Sequence, residues 1–165
     1  MVKKIAESVK QPLSYNRIAN ILAGVGIKIG VSTVINYVKH AEDGWLLLRV
    51  QNYAAKIAEK ESNPKYYFAD NGLLNIFLTD PETSLLENLV ADVLLRKYGR
   101  EDAVFFYHDT VEVDFYVPEE NLAVQVSYSI ADDDTKKREV KALRKLAARF
   151  SGARLCIVTY SEDGV

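Results

Sequence analysis

The chain has 165 residues, 48% of them hydrophobic, and its 21 Lys and Arg residues nearly balance 23 Asp and Glu residues, which gives a formal net charge of −2. This length allows one large domain or two small ones with a real hydrophobic core, and the near-neutral charge excludes a polyanion binder that acts through bulk charge alone. The single cysteine, Cys156, excludes a disulfide framework and favours a cytoplasmic location. The sequence has no run of roughly 20 apolar residues, so we expect no membrane partner.

The charge is distributed unevenly along the chain. Residues 1–65 carry 10 Lys and Arg against 5 Asp and Glu, whereas residues 66–165 carry 11 against 18. This asymmetry predicts two modules with separate partners, and a basic first module indicates contact with nucleic acid. Because a helical pattern begins immediately after Met1, we expect the chain to be a piece of a longer protein.

Two short helices are predicted in the first module. Ser14 is placed to cap a helix that Gly24 ends, and a second helix begins at Ser32 and is ended by Gly44. The connecting turn contains glycine and the second helix carries polar residues outward, which is typical of a helix-turn-helix. Two predicted strands, WLLLRVQNYAA and NPKYYFAD, then flank a loop rich in Lys and Glu. This order of elements predicts a winged helix.

In a winged helix, the second helix and the loop between the strands contact the major groove or phosphates. The candidate nucleic-acid-binding residues are Ser32, Thr33, Asn36, Tyr37, Lys39 and His40 on the helix, and Lys56 and Lys60 on the wing. Two alternatives remain open, namely that these side chains form the solvated face of a small helical domain or that they dock a protein. No second ligand lies at metal-binding spacing from His40, so we interpret it as an exposed polar residue.

The stretch KYYFADNGLLNIF joins the two modules. Its D-N-G step predicts a turn, and its aromatic residues are interpreted as core between the modules. A long helix follows over residues 81–98, and Gly99 ends it. Its predicted apolar stripe consists of Ser84, Leu85, Leu86, Leu89, Val90, Val93 and Leu94. Glu87 interrupts this stripe, and an acid turned toward a core must be paired, hydrogen-bonded or metal-bound, so a structural carboxylate and a cation ligand both remain open.

A strand over residues 103–108 leads into a predicted β-hairpin, VEVDFYV and LAVQVSYSI, joined by a turn at residues 118–121. Asp114 lies in the middle of the first strand, where Asp is disfavoured, and Gln125 and Ser127 share one face of the second strand. An acid and a polar pair on adjacent strands is the layout of a Mg²⁺-dependent phosphodiesterase site. Here Gln and Ser stand where such a site has an acid and a lysine.

The C-terminal part is predicted as a helix and a strand. Asp132, Asp133 and Asp134 precede a basic helix, and we interpret them as an N-terminal capping group instead of a metal cluster. The segment ARLCIVTYSEDG is predicted as a buried central strand, parallel to its neighbour after a crossover helix. The second module therefore has the predicted order α-β-β-β-α-β.

This order, with an acid on the helix and another on the hairpin, resembles the restriction-endonuclease-like core known by its P-D-(D/E)-X-K signature. The phrases KYYFADNGLL, LLENLVADVLLRKYG, VEVDFYV, AVQVSYSI and TKKREVKAL more closely resemble the uncharacterised domain that follows the ATPase module in a large family of prokaryotic AAA-type ATPases. In that family a winged helix resembling SYNRIANIL and STVINYVKHAEDGWLL precedes the nuclease-like core. The resemblance covers nearly the whole chain. It implies an α/β chain, α+β overall, with a winged helix over residues 1–68 and a nuclease-like αβββαβ core with a mixed sheet over residues 69–165.

The resemblance also implies a degenerate nuclease site. The carried-over site residues are Glu87, Asp114, Gln125 and Ser127, with Glu87 and Asp114 as the candidate metal ligands. Gln125 stands at the family's second acid and Ser127 at its lysine. Gln offers a cation one neutral oxygen and Ser brings no positive charge to activate water, so we expect neither bound Mg²⁺ nor cutting.

We therefore expect an accessory region of a prokaryotic AAA-type ATPase that binds DNA or protein and needs no cofactor of its own. The sequence contains no G-x-x-x-x-G-K-[ST] phosphate loop, so ATP is expected only on the missing ATPase module, which would be its partner within the same protein. One alternative is an active Mg²⁺- or Mn²⁺-dependent DNA nuclease. Another is a transcription regulator that uses only the winged helix.

Overall fold

The computed structural model describes residues 1–56, 60, 62–99 and 102–161. These residues form helices α1 (Val2–Ala6), α2 (Tyr15–Gly24), α3 (Val31–Asp43), α4 (Asn71–Phe77), α5 (Glu82–Tyr98) and α6 (Asp133–Arg149). They also form strands β1 (Leu47–Asn52), β2 (Lys65–Phe68), β3 (Phe105–His108), β4 (Glu112–Val117), β5 (Leu122–Val126) and β6 (Arg154–Val158). The chain is thus a mixed α+β protein, and none of these helices is long and apolar enough to cross a membrane.

The six strands form one mixed sheet in the order β2-β1-β3-β4-β5-β6. Strand β1 runs parallel to β3 and β5 runs parallel to β6, whereas the other neighbours are antiparallel. Two register pairs, Gln51 with Phe105 and Asn52 with Phe106, join β1 to β3. Hydrogen bonding therefore continues across the boundary predicted between residues 68 and 69, and the division into two domains stays a prediction.

The first part of the chain has the predicted order of two helices and two antiparallel strands. The Ser14 side chain caps α2 by accepting a 3.2 Å hydrogen bond from the backbone N–H of Arg17. The start of α3 differs from the prediction, because Gly30 is its N-cap and Ser32 lies inside the helix. Val34 and Val38 on α3 are buried, and they belong to the same hydrophobic core as the β1–β2 hairpin.

The predicted turn at D-N-G was wrong. Asp70 instead caps the N-terminus of α4, because its carboxylate accepts hydrogen bonds from the backbone N–H groups of Gly72 (2.6 Å) and Leu73 (3.2 Å). Asp is among the strongest N-cap residues, so the same three letters can begin a helix. The aromatic residues before it, Tyr66, Tyr67 and Phe68, are fully buried core, as expected.

The long helix and its end at Gly99 are confirmed as α5, but its predicted apolar stripe was wrong. Leu89 and Val93 are 48% and 53% exposed. The buried face instead consists of Glu87, Asn88, Ala91, Leu94 and Leu95. The helix turns this face inward because its two polar residues find buried hydrogen-bond partners, which a count of apolar positions does not anticipate.

The order α5-β3-β4-β5-α6-β6 is the predicted α-β-β-β-α-β. The carboxylate of Asp132 accepts a 2.8 Å hydrogen bond from the backbone N–H of Thr135, which confirms its role as the cap of α6. Strand β6 is parallel to β5, as predicted, but it lies at one end of the described sheet and not in its centre. Its apolar sequence indicated burial, yet Arg154 and Leu155 are exposed.

Candidate functional site

The hairpin of β4 and β5 holds Asp114 and Gln125 side by side. Register pairs join the strands from Val117 and Leu122 to Phe115 and Val124. Beyond these pairs, Oδ2 of Asp114 accepts a 2.8 Å hydrogen bond from the backbone N–H of Val126, and Oε1 of Gln125 accepts a 3.3 Å bond from the backbone N–H of Asp114. Both side chains are 8% exposed and therefore buried. Their acceptor oxygens are thus used to link the two strands.

Helix α5 packs along strand β2 and places Glu87 next to it. The side-chain amide of Asn88 accepts a 2.7 Å hydrogen bond from the backbone N–H of Phe68 and donates a 2.8 Å bond to the carbonyl of the same residue. This pair of bonds anchors α5 along β2. The neighbouring Glu87 is 2% exposed, and its Oε1 accepts a 2.8 Å hydrogen bond from the hydroxyl of Tyr67.

Lys65, the first residue of β2, lies in the middle of these acids. It is fully buried, and its Nζ atom lies 3.8 Å from Oε1 of Glu87, 3.8 Å from Oδ1 of Asp114 and 3.2 Å from Oε1 of Glu112. The ammonium also lies over the ring of Phe106, 5.2 Å from the ring centroid. None of its contacts with the described residues has hydrogen-bond geometry. The interaction is therefore mainly charge attraction in a buried setting.

A second ammonium, that of Lys10, approaches from the N-terminal segment and lies 3.9 Å from Oε2 of Glu87. We call Lys10, Lys65, Glu87, Glu112 and Asp114 the buried ionic cluster, although Lys10 and Glu112 reach its solvent-facing rim. It contains three carboxylates and two ammonium groups.

Burial sets the electrostatics of the ionic cluster. Desolvation, followed by the nearby charge of Glu87, raises the pKa of Asp114 to about 7, although Lys65 and the Val126 N–H group oppose this shift. Desolvation also raises the pKa of Glu87 against the attraction of Lys65 and the hydrogen bond from Tyr67. One carboxyl group of the cluster therefore exchanges its proton near neutral pH.

Of the four site residues that the resemblance implies, the structure brings Glu87, Asp114 and Gln125 together. Ser127 instead contacts residues outside this group. The Ser127 hydroxyl donates a 2.9 Å hydrogen bond to the carbonyl of Ser129, and its backbone N–H donates to Val158. Glu87 and Asp114 each have a carboxylate oxygen 3.8 Å from the Lys65 ammonium. Within the described ranges, no group of three or more His, Cys, Asp and Glu side chains is placed to hold a metal ion.

Reasoning from the sequence missed Lys65, Glu112 and Lys10, whereas a hydrogen bond from Asn88 to backbone was expected. A signal existed for Glu112, because it lies two residues before Asp114 and so shares its face of β4. A weaker signal existed for Lys65, since a lysine that begins the apolar strand KYYF must bury part of its stem. Lys10 is distant in sequence from every other member of the cluster, and no local pattern indicates its position.

The predicted contact face of α3 lies at the surface. Ser32, Asn36, Tyr37, Lys39 and His40 are exposed and Thr33 is half-buried. Between the strands, Lys56 is exposed, whereas the ammonium of half-buried Lys60 lies over the rings of Tyr53 and Phe105. The loop residues 57–59 and 61 of the predicted wing lie outside the described residues. Ile35 on the same helix is also exposed, so the expectation from the helical pattern that it points inward with Val34 and Val38 was wrong.

Comparison with known proteins identifies the family. A family model described as a domain of unknown function (DUF8612) matches residues 1–84, and the chain belongs to this family. Among the curated proteins, the chain is 31% identical over 159 residues to the uncharacterized protein MJ1544 of the archaeon Methanocaldococcus jannaschii. The match covers 92% of this chain and 35% of that relative, so the chain spans about a third of the relative's length. No solved structure matches the chain.

Proposed function

We propose that this chain is an interaction region of a longer prokaryotic AAA-type ATPase, in which a winged helix (residues 1–68) precedes a nuclease-like core (residues 69–165) that holds DNA or a protein without cutting DNA. The element order on both sides of residue 68 supports this proposal. The match to the archaeal relative supports it too, because most of that relative lies outside the match and leaves room for a nucleotide-binding module. A phosphate loop encoded in the reading frame upstream of Met1 would support the ATPase context, and a frame without one would count against it.

The position of the Lys65 ammonium close to both Glu87 and Asp114 carries this proposal. Mg²⁺ binds oxygen ligands at about 2.1 Å, so an ion shared by both carboxylates must occupy the space between them. The Nζ atom of Lys65 lies 3.8 Å from an oxygen of each, and it supplies positive charge to both carboxylates. In our proposal this ammonium is a fixed internal cation that takes the role of the exchangeable metal of a nuclease. The proposal therefore includes the loss of the cutting reaction.

We expect supercoiled plasmid to remain intact when it is incubated with an excess of the protein and Mn²⁺, because the bound ammonium competes with the metal for the same carboxylates. Gel electrophoresis of the plasmid measures this. The matched control is Asp114→Asn, which keeps the shape of the site. Nicking that persists in the variant comes from a contaminating enzyme, whereas nicking that the variant abolishes contradicts the proposal.

The second candidate function is the active Mg²⁺- or Mn²⁺-dependent nuclease. One observation favours it. Ser127 lacks the positive charge that steadies an attacking water, and the Lys65 ammonium brings such a charge to within 3.8 Å of Asp114. In this alternative Lys65 moves aside when a metal binds, and Glu87, Asp114 and the amide of Gln125 hold the ion. The plasmid experiment separates the two candidates.

The exposed face of α3 is our proposed DNA contact within the winged helix. The double variant Asn36→Ala/Lys39→Ala is expected to weaken binding of a short DNA duplex about tenfold, because it removes one polar side chain and one cation from this face. Fluorescence anisotropy of a labelled duplex measures the affinity. A matched control, Asn75→Ala/Lys97→Ala, removes the same two residue types from exposed positions on α4 and α5.

Equal affinities of the α3 variant and this control would contradict DNA contact through α3 and favour a protein-docking role for that face. A strong preference for one duplex sequence would instead favour the transcription regulator. Binding that weakens steeply with salt and without sequence preference indicates phosphate contacts alone.

A further inference from the structure

The outward face of α6 carries a row of cations in the part of the chain that is acidic overall. Residues 140–149 contain four Lys and Arg residues and no Asp or Glu. Positions 137, 141, 144 and 145 are spaced so that they fall on one side of a helix. Lys137, Lys141, Arg144 and Lys145 are all exposed, and they line a shallow depression together with Val140 and Ala148. We call these four cations the basic row.

Most of the basic row has no oppositely charged partner among the residues that the structure describes. Two other basic residues of α6 already have partners within the protein. Arg138 donates a 2.7 Å hydrogen bond to Glu139, and Arg149 donates a 2.6 Å bond to the hydroxyl of Tyr107. Lys137 lies 4.0 Å from Asp134, whose side chain is almost fully exposed. Lys141, Arg144 and Lys145 form no ion pair with any residue in the described ranges. Like charges one turn apart destabilise a helix, so the row is not explained by the stability of α6.

We propose that the basic row binds the sugar-phosphate backbone of nucleic acid. With a rise of about 1.5 Å per residue, the row extends over about 12 Å from Lys137 to Lys145, which is long enough to lie along several phosphates of one strand. Charge complementarity of this kind positions a nucleic acid without reading its sequence. The row lies on α6 of the proposed nuclease-like core, so this inference rests on the proposed function of that core and names its partner. It does not rest on the proposed role of α3, which is a separate surface.

The chemistry of the basic row favours nucleic acid over two other polyanions. A helix that binds an anionic membrane needs an apolar face to insert, but the apolar residues Leu143 and Leu146 of α6 are buried against the sheet. A protein interface typically has a large aromatic or apolar anchor at its centre, and the depression offers only Val140 and Ala148. The row therefore fits a partner that is recognised by charge alone.

The test uses the whole chain and a labelled DNA duplex of mixed sequence, with anisotropy recorded over a series of salt concentrations. The variant Lys141→Glu/Lys145→Glu is expected to lose at least about tenfold in affinity and to lower the slope of log affinity against log salt by about two, one for each phosphate contact removed. Lys141→Gln/Lys145→Gln, which removes the charges without reversing them, is expected to lose less affinity but to lower the slope by the same amount. Circular dichroism verifies that the variants keep the helix content of the wild-type chain.

The matched control is Lys3→Glu/Lys97→Glu, which changes the net charge equally at exposed lysines of α1 and α5. An equal loss of affinity in this control would attribute the effect to bulk charge and overturn the inference, as would an unchanged affinity of Lys141→Glu/Lys145→Glu or no binding by the wild-type chain. Two competitors test the other polyanions. Displacement of the duplex by polyglutamate or by phosphatidylserine vesicles at equal charge concentration would overturn the assignment to nucleic acid. Comparison with Asn36→Ala/Lys39→Ala separates this result from that for α3.

Discussion

Replacing Lys65 with Met is expected to destabilise the protein by about 3–5 kcal/mol near pH 8, because the change leaves buried carboxylates without their central cation. Glu87 and Asp114 are both buried, and each lies 3.8 Å from the lost ammonium. Met has a similar length and shape, so the loss reports charge and not a cavity. Urea unfolding followed by circular dichroism measures the free energy of unfolding.

Two further variants test the cause of this loss. Lys97→Met removes an exposed lysine, and we expect it to change the free energy of unfolding by less than about 0.5 kcal/mol. In the double variant Lys65→Met/Asp114→Asn, a neutral amide replaces one of the carboxylates that lost the Lys65 ammonium. We expect a substantial part of the lost stability to return. If Lys65→Met is as stable as the wild type near pH 8, the ammonium does not balance the cluster and the proposed fixed cation is incorrect.

The free energy of unfolding is expected to fall by a few kcal/mol as the pH rises from about 4 to about 7. Asp114 has an ordinary pKa of 3.8 in the unfolded chain and a pKa raised to about 7 in the folded protein. Between these values the folded state keeps a proton that the unfolded state has released, so its stabilisation is fully present at low pH and is lost as the pH approaches 7. Chemical denaturation at a series of pH values measures this dependence.

The variant Asp114→Asn is expected to flatten this pH profile, because the amide does not titrate and can still accept the hydrogen bond from Val126. Asp80→Asn is the matched control, since it makes the same substitution at an exposed position. We expect the control to keep the wild-type profile. A profile that is equally steep in Asp114→Asn would show that another group releases the proton.

Features that depend on neighbours in sequence could be predicted. The hairpin of β4 and β5 follows from period-two alternation around an acidic turn, and the cap at Asp132 follows from an acid placed before a helical pattern. Asp114 was found because an acid in the middle of an apolar strand demands a partner. Glu87 was predicted as a site residue because it interrupts an apolar stripe and because the resemblance to the nuclease-like core implies an acid on this helix.

Features that depend on the order of strands and on distant contacts could not be predicted. The ladder of hydrogen bonds gives β6 an outer position that its apolar sequence does not indicate. Lys65 reaches the acids of β4 from a strand three places away in the sheet, so no local spacing relates them. The inward face of α5 was misjudged for the same reason, since its polar residues are satisfied by Tyr67 and Phe68 of another element.

The amide of Asn88 has a consequence for the outer edge of strand β2. Among the described strands, β2 is the last on its side of the sheet, and such strands can offer unpaired backbone groups to any extended chain that meets them. By bonding both the N–H and the carbonyl of Phe68, Asn88 occupies the two backbone groups that this residue would offer to another strand. A second chain therefore cannot extend the sheet through Phe68 unless Asn88 first releases it, so the side chain that anchors α5 also opposes strand addition at this residue.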